Sequence, residues 1–166
     1  MNQIFQIFLI GFGATLVMTG VVFGLHGKSV SALDMLRALG SIFTRRLDYA
    51  LPIGAAVHCI VGCACAFFYI GTWNLFPFAG IVQLTTLGVL VGFGHGLLVS
   101  LLLMTAVSEH HQLARFRKAG FGIALAYLTA HLAYGFTIGL GAAVYNPKLH
   151  SLDRFALSST YAITPK

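Results

Sequence analysis

Three of the chain's histidines, His58, His95 and His131, each lie inside a long apolar stretch. An ionisable ring is expensive to place in hydrocarbon, so an intramembrane histidine indicates a functional site. Imidazole is a common ligand of transition metals and an axial ligand of haem iron. The residues that could do chemistry therefore predict a polar site inside a membrane.

Composition indicates what positions these histidines. The 166 residues are 58% hydrophobic and 8% charged, whereas a soluble domain has about 25% charged residues. About 20 apolar residues are needed for a helix to cross the hydrocarbon. We predict an all-α polytopic membrane protein, a four-transmembrane-helix bundle that forms a single domain over residues 1–166, with spans at Ile4–Leu25, Ala50–Thr72, Gly80–Val107 and Ala119–Tyr145.

The charge pattern predicts the orientation of the spans. Seven of the ten basic residues fall in the connections after the first and third spans: Lys28, Arg37, Arg45, Arg46, Arg115, Arg117 and Lys118. The positive-inside rule makes these connections cytoplasmic and both termini periplasmic, including the polar tail 146–166. No Lys or Arg precedes the first span and no small-residue cleavage site follows it, so we expect it to be retained. Aromatic residues that include Tyr69 and Trp73 predict an aromatic belt on the opposite surface.

The net charge of +6 is split between two short connections, which is not typical of a nucleic-acid-binding surface. We expect anionic lipid headgroups as partners and no nucleic acid. Within the first connection, Ser31 and Asp34 resemble a capping box, and apolar residues follow at helical spacing. We interpret Ser31–Arg46 as an interfacial helix on the cytoplasmic face, with a simple helical hairpin connection as the alternative.

Short motifs that recur in the two halves of the chain predict an internal duplication. Gly11-Phe-Gly13 recurs as Gly92-Phe-Gly94, and the spacing of His58 and Gly62 recurs in His131 and Gly135. Halves repeated in this way are parallel and related by an axis along the membrane normal, which puts His58 and His131 at equal depth on equivalent helices. Small residues at every fourth position let helix backbones approach closely, as in the ridge of Gly88, Gly92 and Gly96.

Two cofactors fit this pattern. A glycine one turn from each histidine leaves room for the edge of a macrocycle, so His58 and His131 with Gly62 and Gly135 predict an axial pair for haem b or another tetrapyrrole. Alternatively, His58, His95 and His131 form a three-imidazole site for a transition-metal ion. A third interpretation has no cofactor, because each histidine could instead bond a group on a neighbouring helix.

Two smaller clusters also have metal-ligand character. Glu109, His110 and His111 end the third span and resemble a metal-binding or proton-uptake cluster, although a solvated helix end has the same composition. Cys59 and Cys63 are one turn apart and could hold Cu(I) with His58, although packing is the ordinary role of such cysteines. The predicted spans contain no acidic residue, which disfavours a proton-coupled transporter.

The segment Gly13-Ala-Thr-Leu-Val-Met-Thr19, His58 with Gly62, and His131 with Tyr134-Gly135 resemble a family of small bacterial four-span inner-membrane proteins. The resemblance extends over nearly the whole chain. It implies a multi-pass protein of the bacterial inner membrane, and it assigns no catalytic residue.

Three functions follow as hypotheses. The first is a small subunit of an energy-converting redox complex, in which the histidines bind haem and serve electron transfer. The second is a non-catalytic assembly subunit that packs through its glycine ridges against other subunits or a second copy. The third is a free-standing metal-binding membrane protein, in which a histidine would have to supply any acid–base catalysis.

Overall fold

The computed structural model describes residues 2–26, 32–76, 80–117 and 120–145, and the secondary structure of these residues is helical. Its main helices are α1 (Gln3–His26), α2 (Ala32–Thr44), α3 (Ala50–Trp73), α4 (Ile81–Leu102) and α5 (Phe121–Val144). Four of them, all except α2, are long and apolar enough to cross a membrane, with α4 continuing to His110. The predicted all-α fold with four such helices is confirmed.

The helix ends follow the changes in hydropathy that the sequence shows. The third apolar stretch does not end as a regular α-helix, because α4 passes into a π-helical turn at Leu103–Val107 and a short turn at Ser108–His110. π-Helical turns often occur near functional sites, since they shift the register of the side chains that follow. The predicted cap at Ser31 and the tail 146–166 lie outside the described residues.

The helices pack in the spatial order α3, α1, α5 and α4, with α2 against α3. Among the described residues, α3 and α4 make few close backbone approaches, so this side of the bundle is bridged by side chains. The helix α5 contacts both α1 and α4 and buries the largest share of its apolar residues. The core therefore lies around α5.

Glycines bring α4 and α5 into backbone contact. A methyl group added at Gly135 would lie 2.9 Å from the Cα atom of Gly92, and one at Gly88 would lie 3.0 Å from that of Gly139. One turn further along, Gly96 faces the Cβ atom of His131. The prediction that the glycine ridge of Gly88, Gly92 and Gly96 forms a packing face is confirmed.

The α1–α3 pair repeats this pattern with bulkier residues. Gly11 lies against Ala66, Thr15 against Gly62, and Thr19 against His58. These contacts match Gly88, Gly92 and Gly96 of α4 against Gly139, Gly135 and His131 of α5. In this register Gly11 corresponds to Gly88 rather than to Gly92, so the position equivalent to His95 is held by the buried Met18.

The helix α2 also packs through a glycine contact. A methyl group at Gly40 would meet the Ala50 carbonyl oxygen, and one at Gly54 would meet that of Leu36. This contact fixes α2 against the first half of α3 and leaves Ile42 and Phe43 exposed on its outer side. One face of α2 therefore belongs to the bundle, and the opposite face remains apolar at the surface.

Candidate functional site

The structure brings His95 and His131 into direct contact. Their ring centroids lie 4.9 Å apart, and the ring planes are inclined by 69°, an edge-to-face arrangement. The contact depends on Gly96, since a methyl group at that position would lie only 2.7 Å from the Cβ atom of His131. The residue after His95 must be small for α5 to present His131 this close to α4.

Each ring of this pair is held at its Nδ1 atom. The Tyr69 hydroxyl lies 2.6 Å from His95 Nδ1, and His131 Nδ1 lies 2.7 Å from the Tyr127 carbonyl oxygen. A carbonyl only accepts, so in neutral His131 the proton is on Nδ1 and the lone pair is on Nε2. Tyr69 reaches from α3 to α4 and closes the side of the bundle where those helices are apart.

His58 has a different neighbour. Its Nε2 atom lies 3.2 Å from the Thr19 hydroxyl, and that hydroxyl donates to the Thr15 carbonyl at 2.8 Å. The single hydroxyl proton is thus in use, and His58 Nε2–H must be the donor to Thr19. The sequence predicted that His58 and His131 face each other, but the ring in contact with His131 is that of His95, and His58 is bonded to Thr19 of α1.

The spaces beside Gly62 and Gly135, where a macrocycle edge was predicted, are filled by neighbouring helices. The Thr15 side chain occupies the space beside Gly62, and the α4 backbone occupies the space beside Gly135. The Tyr134 hydroxyl also crosses to α3 and donates to the Gly62 carbonyl at 2.6 Å. These residues do not fit a tetrapyrrole between His58 and His131. The prediction that Gly62 and Gly135 leave room for the edge of a macrocycle was wrong.

The predicted three-imidazole site is not assembled. His95 and His131 are adjacent, whereas His58 is bonded to α1, and no three His, Cys, Asp or Glu residues in the described part of the chain are grouped to hold a metal ion. Among the cysteines, the Cys63 thiol points to the Phe8 carbonyl at 4.0 Å, a packing contact with α1.

The cluster at the end of the third span is divided. Glu109 and His110 are exposed, and Glu109 Oε2 lies 3.9 Å from His110 Nδ1. His111, in contrast, is buried against α2. The Leu113 N–H group donates to His111 Nδ1, and His111 Nε2 lies 3.1 Å from the Ala38 carbonyl oxygen. His111 therefore fastens the α4–α5 connection to α2 and is not directed toward a shared site with Glu109 and His110.

Sequence reasoning missed Tyr69 and Thr19 as partners of the core histidines. Tyr69 was interpreted as part of an aromatic belt, although it lies seven residues after Gly62 on the same helix face. That spacing is the signal that could have identified it. Thr19 gave no comparable signal, because threonines in apolar helices usually bond their own backbone.

No protein-family model matches the chain, and comparisons with curated proteins and with solved structures found no match. The functional argument therefore depends on the geometry of the chain itself.

Proposed function

We propose that the chain is a multi-pass protein of the bacterial inner membrane. The outside of the bundle supports this, because large apolar side chains such as Ile60, Phe68 and Leu98 are 68%, 69% and 67% exposed. Such a surface is unfavourable in water and suits lipid. The His111–Ala38 contact brings the two basic connections to one end of the bundle, here named the basic end.

The basic end is proposed to be cytoplasmic, which makes the start of α1 and the end of α5 periplasmic. Arg46 is exposed there and pairs with Asp48 at 2.6 Å, while Phe43 beside it is 65% exposed. An exposed aromatic ring next to arginines matches the boundary between acyl chains and anionic headgroups. Anionic lipids are thus the proposed partners of this end.

Within the membrane, the geometry best supports a non-catalytic packing subunit of a larger membrane complex. The observation that carries this proposal is that each core histidine has a hydrogen-bond partner within the chain: Thr19 for His58, Tyr69 for His95 and the Tyr127 carbonyl for His131. A satisfied intramembrane histidine stabilises helix packing without requiring a ligand. The redox-subunit hypothesis with haem b has no comparable support, because helix packing occupies the space beside Gly62 and Gly135 that the macrocycle would need.

The experiment is purification of the tagged chain in mild detergent, with identification of the proteins that copurify and a reduced-minus-oxidised spectrum. We expect partner subunits to copurify and no Soret difference band to follow the chain. The His58→Ala and His131→Ala variants should retain the same partners. A Soret band that His131→Ala abolishes, while His110→Ala preserves it, would overturn the proposal in favour of a haem subunit.

A further inference from the structure

The end of α2 carries an arginine in an unusual backbone conformation. Arg45 has a φ of 55°, in the left-handed region, where glycine is the ordinary residue because it has no side chain to cause strain. The Arg45 N–H group donates to the Ser41 carbonyl at 2.8 Å, and this bond closes the last turn of α2. A backbone outlier of this kind is a reason to seek a function for the side chain.

Arg45 and Arg46 follow one another, but their side chains differ in having a partner. Arg46 pairs with Asp48 at 2.6 Å, so these two charges cancel. Arg45 is exposed, and within the described residues its guanidinium makes no ion pair or hydrogen bond. Residues 42–49, here named the α2–α3 corner, contain two basic residues and one acidic residue, which gives a net charge of +1. That charge is on Arg45.

Large apolar side chains flank this charge and are exposed. Phe43 and Tyr49 are each 65% exposed, Ile42 is 46% exposed and Leu47 is 39% exposed. The corner immediately precedes Ala50, where α3 begins. Aromatic rings and basic residues at the end of a spanning helix are typical of the boundary between acyl chains and headgroups. This pattern favours a lipid over a soluble acidic partner, because a lipid offers acyl chains and an anionic headgroup together.

The charge of the α2–α3 corner indicates the kind of lipid. A guanidinium matches the geometry of a phosphate group and binds it through bidentate hydrogen bonds. One unpaired arginine complements a phospholipid with a single negative charge, such as phosphatidylglycerol. A zwitterionic phospholipid would bring its own cation close to Arg45 and so bind less well.

We propose that the α2–α3 corner binds one monoanionic phospholipid, with the phosphate on the Arg45 guanidinium and the acyl chains against the exposed rings of Phe43 and Tyr49. This inference rests on the proposed function, which makes anionic lipids the partners of the basic end. It goes further because it assigns the headgroup to Arg45 and not to the paired Arg46. Bound in this way, the lipid holds the end of α2 at the level of the headgroups.

The test is native mass spectrometry of the purified full chain in mild detergent, with dioleoyl phosphatidylglycerol and dioleoyl phosphatidylcholine added in equal amounts. We expect the first bound lipid to be phosphatidylglycerol in preference to phosphatidylcholine. Arg45→Gly should lower the ratio of the two bound lipids about fivefold, the effect of one basic residue at an anionic surface. Glycine adopts the left-handed backbone without strain, so this variant should keep the fold.

The double variant Arg46→Gln/Asp48→Asn is the matched control, because it removes one charge of each sign and leaves the net charge unchanged. It should keep the wild-type lipid ratio. The proposal would be overturned if Arg45→Gly kept that ratio, if the control lost as much as Arg45→Gly, or if inorganic phosphate displaced the bound phosphatidylglycerol.

The same measurement separates this inference from the proposed function. An equal preference for phosphatidylglycerol in all three proteins would refute the assignment to Arg45 and leave anionic lipids as partners of the basic end. Equal binding of both lipids by the wild-type chain would refute both statements about lipids. Neither result bears on which subunits copurify, so the packing function is tested separately.

Discussion

The core histidines differ in the kind of group that holds each ring. His58 donates to a threonine hydroxyl of α1, His131 donates to a carbonyl of its own helix, and His95 meets a tyrosine hydroxyl of α3. Three residues of the same type therefore have three different surroundings. Of the three, His95 and His131 are in ring contact, with centroids 4.9 Å apart.

Tyr134 gives a prediction at the level of one hydroxyl group. Its side chain is 2% exposed and donates to the Gly62 carbonyl of α3 at 2.6 Å. Tyr134→Phe should lower the free energy of unfolding by about 0.6 to 1.7 kcal/mol, the range for hydrogen bonds between helices in a membrane protein. Reversible denaturation in mixed micelles measures this change.

Tyr145→Phe is the matched control for Tyr134→Phe, because Tyr145 lies at the end of the same helix and is 47% exposed. Its effect on unfolding should be close to zero. Equal effects of the two substitutions would contradict the role assigned to the Tyr134–Gly62 bond.

Sequence reasoning predicted that the three histidines are buried polar groups; His131 is buried, whereas His58 and His95 are partly buried. It could not identify their partners. A partner depends on which helices are neighbours, and the apolar stretches contain no signal for that order. The pairing of His58 with His131 followed from matching the two halves, which assumes that equivalent helices meet. In the structure His58 is bonded to Thr19 of α1, whereas His131 is bonded to its own helix and contacts His95 of α4, so equivalent histidines have different partners.

At the scale of the helices, glycine positions determine which pairs come close. Gly88, Gly92, Gly135 and Gly139 bring the backbones of α4 and α5 into close contact. Because lipid removes most of the hydrophobic force between helices, close packing of this kind supplies much of the association. The α1–α3 pair has Thr15 and Ala66 at the matching positions, so side chains fill part of this contact.

Gly135→Ala tests this packing directly. The added methyl group would meet the α4 backbone, 2.9 Å from the Gly92 Cα atom, and a backbone cannot move aside as a flexible side chain can. Overpacking of this kind typically costs about 1–3 kcal/mol. The variant should lose that much unfolding free energy in micelles.

Gly94→Ala is the control, because nothing lies within 4 Å of a methyl group added at Gly94. It should be neutral or slightly stabilising, since alanine favours a helix over glycine. If Gly94→Ala were as harmful as Gly135→Ala, the loss would reflect helix propensity and not packing.

The helix positions were predictable because hydropathy changes sharply at their ends. Ala50 begins α3 as expected, and α1 differs from the predicted span by a residue at each end. The register between halves was not predictable in the same way, since Gly-Phe-Gly occurs in both but only part of each motif contacts a neighbour. Matching the two Gly-Phe-Gly motifs aligns Gly11 with Gly92, whereas the helix contacts align Gly11 with Gly88, one helical turn away. The other motif glycines, Gly13 and Gly94, face open space.

At the scale of the whole molecule, the chain has an apolar circumference and one basic end. His111 joins the α4–α5 connection to α2, which holds both basic connections together at that end. By the positive-inside rule, this arrangement predicts one orientation across a membrane. The opposite end carries the α3–α4 connection, where Leu75 is 82% exposed.

Single-cysteine labelling tests this orientation in a chain without its native cysteines. With a membrane-impermeant maleimide on intact spheroplasts, a cysteine replacing Leu75 should be labelled. Cysteines replacing Tyr49, which is 65% exposed, or Glu109 should be labelled only after permeabilisation. The reverse pattern would show that the basic end is outside, and labelling of all three in intact spheroplasts would contradict a spanning bundle.

The most direct test of the account is which core histidines are neighbours. In the same cysteine-free background, the double variants His95→Cys/His131→Cys and His58→Cys/His131→Cys would be treated with the shortest bifunctional thiosulfonate and cleaved in the α4–α5 connection. Rings 4.9 Å apart predict efficient cross-linking of the 95/131 pair, and less is expected of the 58/131 pair, because His58 is bonded to Thr19 of α1. Cross-linking of the 58/131 pair alone would contradict the packing described and would restore the symmetric histidine pair.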